Sequence, residues 1–156
     1  MTLYMESRAF SWGRSLPLTD KDGRTRYTLT GNAYALRRQL QILDLAGRTA
    51  VSIRQSLPSL FPRYELEVYG KPLGAVVKDL RCAPPQYALE IPGWTLEGSV
   101  SDGDYRLFRS DVLAADCHPA ADRDGLWALE FHNQTDPLPS LAVMVTLNCG
   151  FQTSGR

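Results

Sequence analysis

The segment DPLPSLAVMVTLNCGF, from Asp136 to Phe151, is an almost unbroken apolar run near the end of a 156-residue chain. Its apolar core, Leu141 to Leu147, has seven residues, far fewer than the ~20 that a membrane-spanning helix needs. The segment therefore predicts a buried element and no transmembrane anchor. Periodicity does not separate a strand from a helix here, because the run is apolar on every face.

Local signals within this segment favour both kinds of element. Val143 and Val145 are β-branched and typical of a strand. Asp136 followed by Pro137 favours a helix start, because Asp caps well and proline fits the first turn. Gly150 would suit the end of such a helix. A helix that is apolar all round must be buried all round, so this interpretation requires protein on every side.

The remainder of the chain supplies short alternating segments that are typical of strands. RTRYTLTG, RYELEVYG, QYALEIPG, DYRLFRSD and LWALEFHN each alternate polar and apolar residues with a period near two. Glycine-containing turn signals separate them, and the Asp-Gly pairs suit tight hairpins. These signals are Asp22-Gly23, Ala46-Gly47, Tyr69-Gly70, Pro92-Gly93, Asp102-Gly103 and Asp124-Gly125. Together they predict about ten to twelve strands.

This pattern predicts a mainly β (α+β) fold. Only the stretch NAYALRRQL offers another helical turn, so the sheet would be long and antiparallel. Such a sheet can close into a barrel, which protects its strand edges, and the C-terminal segment would fill the lumen as a helix. A β-sandwich that ends in a core strand is the alternative. We expect one domain that spans residues 1–156.

Composition narrows the class of protein. Seventeen basic and seventeen acidic residues give a formal net charge of zero, which argues against a nucleic-acid-binding surface. Cys82, Cys117 and Cys149 are widely spaced and form no C-x-x-C pair, so we expect free thiols in a reducing compartment. The N-terminus lacks the pattern of a signal peptide. These observations predict a cytoplasmic protein without a metal or cofactor.

Several short motifs recur in an order that resembles the LURP-one-related family, part of the tubby C-terminal-like superfamily. They are the Phe10-Ser11-Trp12 opening, the DKDG hairpin, Gly31 before an aromatic-Leu pair, LQILDLAGR, SLFPRYELEV, GDYRLF and the final apolar run. The resemblance covers nearly the whole chain. It is weakest from Arg109 to Gly125.

The resemblance implies a closed antiparallel barrel of about twelve strands around a central hydrophobic C-terminal helix. Tubby proteins use this fold to hold phosphoinositide headgroups and to carry cargo to membranes, and the related scramblases also act at membranes. The resemblance thus implies a non-catalytic binding module for a lipid headgroup, another anionic ligand or a protein partner. For the cytoplasmic protein predicted above, it also implies peripheral association at a membrane.

Basic residues are the candidate ligand-binding groups, because arginine binds phosphate through two parallel hydrogen bonds. Arg37 and Arg38 are adjacent, and three further basic residues follow hairpin positions in the next part of the chain. The predicted anion-binding set is Arg37, Arg38, Lys71, Lys78 and Arg81. Arg24 and Arg26 share one face of a predicted strand. The alternative interpretation is that these are scattered surface charges.

The densest group of metal-ligating residue types is DCHPAADRD, from Asp116 to Asp124. It supports an alternative hypothesis, a metal-dependent or Cys/His enzyme that uses Cys117 and His118. Neighbouring residues of a strand point to opposite faces, which argues against a Cys–His pair. We interpret His118-Pro119 as a strand end, the aspartates as a solvated loop and His132 as a half-exposed strand residue.

Recognisable catalytic motifs do not occur in this sequence. DKDG, from Asp20 to Gly23, lacks the further ligands and the distant glutamate of a calcium loop and predicts a hairpin turn. Ser11 and Ser59 are not part of a G-x-S-x-G elbow. There is no phosphate-binding loop, dinucleotide fingerprint or H-E-x-x-H motif. We therefore predict that the protein is not an enzyme.

Overall fold

A computed structural model of the chain describes residues 1–7, 13–32, 38–56, 61–132 and 136–151. The Phe10-Ser11-Trp12 opening, Ser59, and residues 33–37 of the NAYALRRQL stretch lie outside these ranges. The described residues form twelve strands followed by a C-terminal helix. The strands are β1 Thr2–Glu6, β2 Ser15–Thr19, β3 Thr25–Asn32, β4 Gln39–Leu43, β5 Thr49–Gln55, β6 Arg63–Val68, β7 Lys71–Asp79, β8 Gln86–Glu90, β9 Trp94–Ser99, β10 Asp104–Arg109, β11 Val112–Pro119 and β12 Leu126–Phe131.

All twelve strands join one antiparallel sheet in the order β8-β7-β6-β5-β4-β3-β2-β1-β12-β11-β10-β9. The first and last strands in the chain, β1 and β12, are therefore neighbours within the sheet. The sheet curls into a nearly closed barrel, in which its two end strands, β8 and β9, pack against each other. The prediction of an antiparallel barrel of about twelve strands is confirmed, and this barrel is nearly closed. At the junction between β8 and β9, the two strands at the ends of the hydrogen-bonded order contact each other by packing. We call this junction the seam.

Hairpin turns set the register on one side of the barrel. In DKDG, Oδ1 of Asp20 accepts hydrogen bonds from the backbone N–H groups of Asp22 and Arg24, at 2.9 and 3.0 Å. The turn that follows β4 repeats this arrangement, and Oδ1 of Asp44 accepts from Ala46 and Arg48, at 2.9 Å each. DKDG is thus a hairpin turn, as the sequence predicts, because its carboxylate is occupied by its own backbone.

The C-terminal segment is helical and fills the barrel. An α-helix, α1, spans Leu138–Val145, and a π-helical turn, Thr146–Gly150, continues it. Oδ1 of Asp136 accepts a hydrogen bond from the N–H of Leu138 at 3.0 Å. Pro137 holds the N-cap position, so Asp136 satisfies a backbone donor of the helix start from one residue further out than expected. The residues from Leu141 to Val145 are 0% exposed, and α1 contacts β5, β6, β11 and β12. The segment is therefore the core of the barrel and not a strand of a sandwich.

Polar groups inside the barrel find partners there. The hydroxyl of Thr146 donates to the carbonyl of Ala142 at 2.7 Å. The hydroxyl of Tyr105, on β10, donates to Oδ1 of Asn148 at 2.8 Å. These bonds offset the cost of burying the polar groups. Within the described ranges, no helix combines the length and the apolar character that crossing a bilayer requires.

Candidate functional site

Three aromatic side chains gather where the helical segment ends. The rings of Tyr64 and Phe151 meet edge to face with centroids 5.0 Å apart, and those of Tyr87 and Phe151 lie 5.3 Å apart. We call this group, Tyr64, Tyr87 and Phe151, the aromatic cluster. The hydroxyl of Tyr64 donates to the carbonyl of Gly150. Burial raises the pKa of Tyr64 to about 12, while the guanidinium of Arg38 acts in the opposite direction. The cluster thus ties β6 and β8 to the end of the helical segment.

The seam opens into a concavity beside this cluster. A cavity of about 510 Å³ lies between residues 82–87, before and within β8, and residues 96–101, at the end of β9. A second cavity of about 180 Å³ shares Tyr87, Val100 and Ser101 with it and continues to Leu147, Asn148 and Phe151. The two cavities therefore adjoin each other, and together their walls extend from residues 82–87 to the end of the buried helix. We call the pair the seam pocket.

Glycine at position 98 permits the close strand packing at the seam pocket. Gly98, in β9, has a φ of +106°, and a Cβ there would lie 2.6 Å from the carbonyl oxygen of Asp104 and 2.7 Å from Cα of Tyr105. A side chain at this position would push β9 away from β10. The pocket wall on the β9 side therefore depends on a residue without a Cβ.

Asn148 places a buried amide at the inner end of the seam pocket. It is 3% exposed, and its Oδ1 accepts the hydrogen bond from Tyr105. Its Nδ2 group lies 3.4 Å from Sδ of Met5 and 3.8 Å from Sγ of Cys117. Sulfur is a weak acceptor, so the amide N–H groups of Asn148 retain capacity for a stronger acceptor that enters the pocket.

Two of the predicted basic residues contact the aromatic cluster. The ammonium of Lys78 lies 5.8 Å from the ring centroid of Tyr87 and 5.9 Å from that of Phe151. Arg38 reaches Tyr64, where its charge and its hydrogen bond partly oppose the rise in the pKa of Tyr64 that burial causes. Lys78 therefore stands beside two rings that line the seam pocket, in the range of a cation–π interaction.

The other three predicted basic residues have different surroundings. Arg81 forms two hydrogen bonds with the carboxylate of Asp79, at 3.1 Å each, and stacks over Phe61 at 4.7 Å. Lys71 is exposed at the start of β7, seven residues and thus roughly 23 Å from Lys78 along the strand. Arg37 lies outside the described residues. The structure thus brings Arg38 and Lys78 together at one cluster and separates them from Lys71.

Arg24 and Arg26 lie at the start of β3, which is in the middle of the strand order and far from the seam. Both line a concavity of about 480 Å³ that also includes Lys21, Asp20 and Asp22. A guanidinium nitrogen of Arg26 lies 3.9 Å from a carboxylate oxygen of Asp20. Acidic and basic groups are therefore mixed there, which makes this concavity a weaker anion site than the surroundings of Lys78.

The interpretation of the Asp116–Asp124 segment needs a correction. Asp116 is not in a solvated loop, because β11 extends to Pro119 and pairs with β12 on one side and β10 on the other. Cys117 points into the barrel and is 1% exposed, whereas the side chain of His118 is 38% exposed on the outer face. The two side chains do not form a pair, for the geometric reason expected from the sequence.

Sequence reasoning missed that cross-strand pairing brings Glu130 and His132 to Asp116 and His118. Among the described residues, Asp116, His118 and Glu130 each offer a ligand atom, and these atoms all lie within 4.8 Å of one another. Nε2 of His132 lies 2.6 Å from Oδ2 of Asp116. The sequence contained a signal for this cluster. An acidic residue and a histidine are two residues apart in both segments, Asp116 with His118 and Glu130 with His132, and this spacing puts each pair on one face of a strand.

Comparisons with known proteins found a family model and a relative that match this chain. The family model described as LURP-one-related matches residues 1–148. The "Uncharacterized protein YxjI" of Bacillus subtilis (strain 168) is 30% identical over 105 residues, which cover 67% of this chain. The matched stretch covers 65%, just under two thirds, of that relative's own length.

A solved structure has the same architecture. The X-ray structure of a protein from Arabidopsis thaliana superposes with a TM-score of 0.61, over 94% of this chain and 91% of that chain. The two sequences are 15% identical, so the likeness concerns the fold. The overall fold of this chain is thus shared with a solved protein.

Proposed function

This chain belongs to the LURP-one-related family, and we propose that it is a non-catalytic binding module that takes an anionic amphipathic ligand at the seam pocket. The ligand class is a phosphate-bearing lipid headgroup with its adjoining apolar chain. Lys78 would meet the phosphate, and the aromatic rings and the end of the helix would meet the apolar part. Arg38 is the second basic group at this end of the barrel.

The observation that carries this proposal is the composition of the seam pocket. It combines the apolar and aromatic surface of Tyr87, Val100 and Phe151 with a buried amide at Asn148. Pockets for small molecules are typically mostly apolar, with a few polar groups that set orientation. The ammonium of Lys78, 5.9 Å from the Phe151 ring centroid, adds the charge that would favour an anion.

The surroundings of the reactive groups support a binding role over catalysis. Burial raises the pKa of Cys117 to about 12 and that of Cys149 to about 12 as well. A thiol with such a pKa is protonated at neutral pH and is a poor nucleophile. We therefore propose that the seam pocket holds its ligand without transforming it.

We also propose a cytoplasmic location with peripheral association at membranes. Cys117 and Cys149 are buried free thiols and Cys82 is a half-buried one, which suits a reducing compartment. A lipid headgroup recognised at the seam pocket would place the opening of that pocket against a membrane surface. This arrangement resembles the tubby-like use of the fold.

Vesicle sedimentation tests the proposal. The purified chain is mixed with vesicles of a neutral phospholipid alone and with vesicles that also contain an anionic phospholipid. We expect the chain to sediment with the anionic vesicles and to remain in solution with the neutral ones. Titration with inorganic phosphate and with a short-chain soluble phospholipid separates a lipid ligand from free phosphate, since only the lipid would occupy the apolar part of the pocket.

Two lysines of one strand provide the matched control. Lys78→Ala should weaken sedimentation with the anionic vesicles, whereas Lys71→Ala, at the far end of β7, should not. Equal sedimentation with neutral and anionic vesicles would contradict the proposal, and so would equal losses in the two variants. A general attraction between a basic surface and an anionic membrane predicts that both variants lose binding to a similar extent.

A further inference from the structure

We propose that Asp116, His118 and Glu130 bind a divalent transition-metal ion of the Zn²⁺ type on the outer face of the barrel, with His132 orienting Asp116. We call these four residues the β11–β12 cluster. Its members contain both histidines of the chain. It lies on the other side of the sheet from the buried helix, and the proposal does not depend on the seam pocket.

The register of the sheet builds the cluster. Asp116 of β11 is directly opposite Glu130 of β12. Two carboxylates at directly opposite positions repel each other, so a positive charge close by would stabilise this pairing. His118 follows Asp116 by two residues and His132 follows Glu130 by two residues. His132 lies directly after β12, but its N–H donates to the carbonyl of Ala114 at 2.8 Å, so the pairing continues and all four residues share one face. Each imidazole therefore reaches the carboxylate pair from a diagonal position.

The hydrogen bonds of His118 leave one ring nitrogen for a cation. Nδ1 lies 3.0 Å from the carbonyl oxygen of Pro119, and because a carbonyl only accepts, Nδ1 carries a proton. Nε2 lies 3.0 Å from Oε2 of Glu130 and 3.7 Å from Oδ1 of Asp116. In neutral His118, three atoms that can only accept would then face one another. A cation between them, a proton or a metal ion, removes that repulsion.

The spacing and the donor atoms fit a metal ion. With bonds of about 2.0–2.1 Å to nitrogen and oxygen, the ligand atoms of a tetrahedral zinc site lie about 3.3 Å apart. The two separations from Nε2 of His118, 3.0 and 3.7 Å, bracket that value, and all three ligand atoms lie within 4.8 Å of one another. The two carboxylates balance a divalent charge. An imidazole in the ligand set favours zinc, iron, nickel or copper over magnesium and calcium.

Groups around the three ligand residues have the arrangement found at metal sites. A metal-binding histidine usually donates its other N–H to a carbonyl or carboxylate, as His118 does to Pro119. Nε2 of His132 lies 2.6 Å from Oδ2 of Asp116, which leaves Oδ1 directed at His118. With three protein ligands, a fourth position stays open, as at catalytic zinc sites.

That open position has room beside it. A cavity of about 470 Å³ adjoins Asp116 and His118 and is also lined by Arg106 and Asp104. Arg106 lies opposite Asp116 in the β10–β11 pairing, and its guanidinium is 3.8 Å from Glu97. Water or a small anion could therefore complete the coordination of the metal. Asp122 and Asp124, two of the aspartates in the sequence hypothesis, are not members of the cluster.

Zinc titration of the full chain, after dialysis against a chelator, tests the proposal. Isothermal titration calorimetry with ZnCl₂, in excess magnesium, should give one Zn²⁺ per chain. We expect His118→Gln and Glu130→Gln to weaken the affinity by about 100-fold or more, and His132→Gln by about 10–100-fold. Imidazole ¹⁵N spectra of the unmodified protein should show Nε2 of His118 shifting when zinc is added.

Two control variants separate this site from other ligands. Glu65→Gln changes a carboxylate that is also on a strand and beside a cationic group, Arg63, and should leave zinc binding unchanged. Cys82→Ser removes the half-buried thiol and should do the same. Circular dichroism confirms that each variant is folded. The proposal is overturned if zinc does not bind stoichiometrically, if His118→Gln and Glu130→Gln bind as tightly as the parent, or if Cys82→Ser abolishes binding.

Discussion

The two faces of β11 and β12 differ in chemistry although they alternate along the same strands. Inward residues such as Ala115, Cys117 and Leu129 are 0–1% exposed and pack around the helix. Outward residues between them include Asp116 and Glu130, which cluster with two histidines. The inner face therefore contributes to folding and the outer face is free to hold a site. The same substitution should therefore affect stability very differently at two neighbouring positions of one strand.

Removal of the buried segment should have the largest effect. A chain that ends at Asp136 lacks α1 and the π-helical turn, whose residues are buried except for Pro139. Loss of each large apolar side chain from a core costs about 2–5 kcal/mol, and the total stability of a domain is about 5–15 kcal/mol. We expect no cooperative thermal unfolding by circular dichroism. A shortened chain that still unfolds cooperatively would contradict this prediction, because it would show that the strands fold without the helical segment.

A single charge should separate the two faces almost as clearly. Val143 is 0% exposed inside the barrel and Val112, on β11, is 57% exposed. Burial of an unpartnered polar group costs roughly 2–7 kcal/mol, and burial of a charge costs more. We expect Val143→Asp to prevent folding and Val112→Asp to change stability by less than about 0.5 kcal/mol. Urea denaturation of both variants measures the difference, and similar midpoints would contradict the assignment of the faces.

Neighbouring positions of β12 allow a finer comparison. Leu129 is 0% exposed in the core, whereas the side chain of Glu130 is 39% exposed. We expect Leu129→Ala to cost about 2–5 kcal/mol, because it leaves a cavity. Glu130→Ala should cost no more than about 1 kcal/mol, as is typical of exposed ion pairs. Chemical denaturation in metal-free buffer measures the free energy of unfolding of both variants. A larger loss of stability for Glu130→Ala than for Leu129→Ala would contradict the assignment of Leu129 to the core and Glu130 to the outer face.

The buried polar contacts should contribute less than the apolar core. The hydroxyl of Tyr105 donates to Asn148 at 2.8 Å inside the barrel. Tyr105→Phe removes that donor and leaves Oδ1 of Asn148 without it, which should cost about 1–3 kcal/mol. The unfolding midpoint reports this loss. Because Tyr69 is half exposed and bonded to Asp44 at the surface, Tyr69→Phe is the matched control and should have a smaller effect.

Thiol labelling probes the same contrast without any substitution. Burial raises the pKa of Cys117 and Cys149 to about 12. At pH 8 only a fraction on the order of 10⁻⁴ of such a thiol is ionised, whereas Cys82 is half buried near the surface. We expect iodoacetamide to label one thiol per native chain and three per denatured chain, as measured by mass spectrometry. Rapid labelling of Cys117 in the native chain would contradict its position in the core.

Much of the fold could be predicted from local patterns. The alternation in segments such as RYELEVYG and DYRLFRSD identified β6 and β10. The turn signals Asp22-Gly23 and Ala46-Gly47 predicted the hairpin turns that Asp20 and Asp44 stabilise. The basic residues were harder to interpret. Lys71 and Lys78 look equivalent in the sequence, but they lie at opposite ends of β7, and only Lys78 contacts the aromatic cluster.

By itself, the sequence determined a strand-rich chain with one segment too apolar to face water and too short to cross a membrane. The run itself carries no period, because it is apolar on all sides, so the prediction of a helix came from the many strands around it and from the family resemblance. The tertiary structure confirms the helix and gives the reason for it, since a barrel of twelve strands leaves an interior that a helix fills. Tertiary structure also created both candidate sites. The register of β11 and β12 brings Glu130 to Asp116, and the unpaired seam opens the pocket beside Lys78. Such pairings join residues distant in the chain, and their geometry depends on the whole sheet.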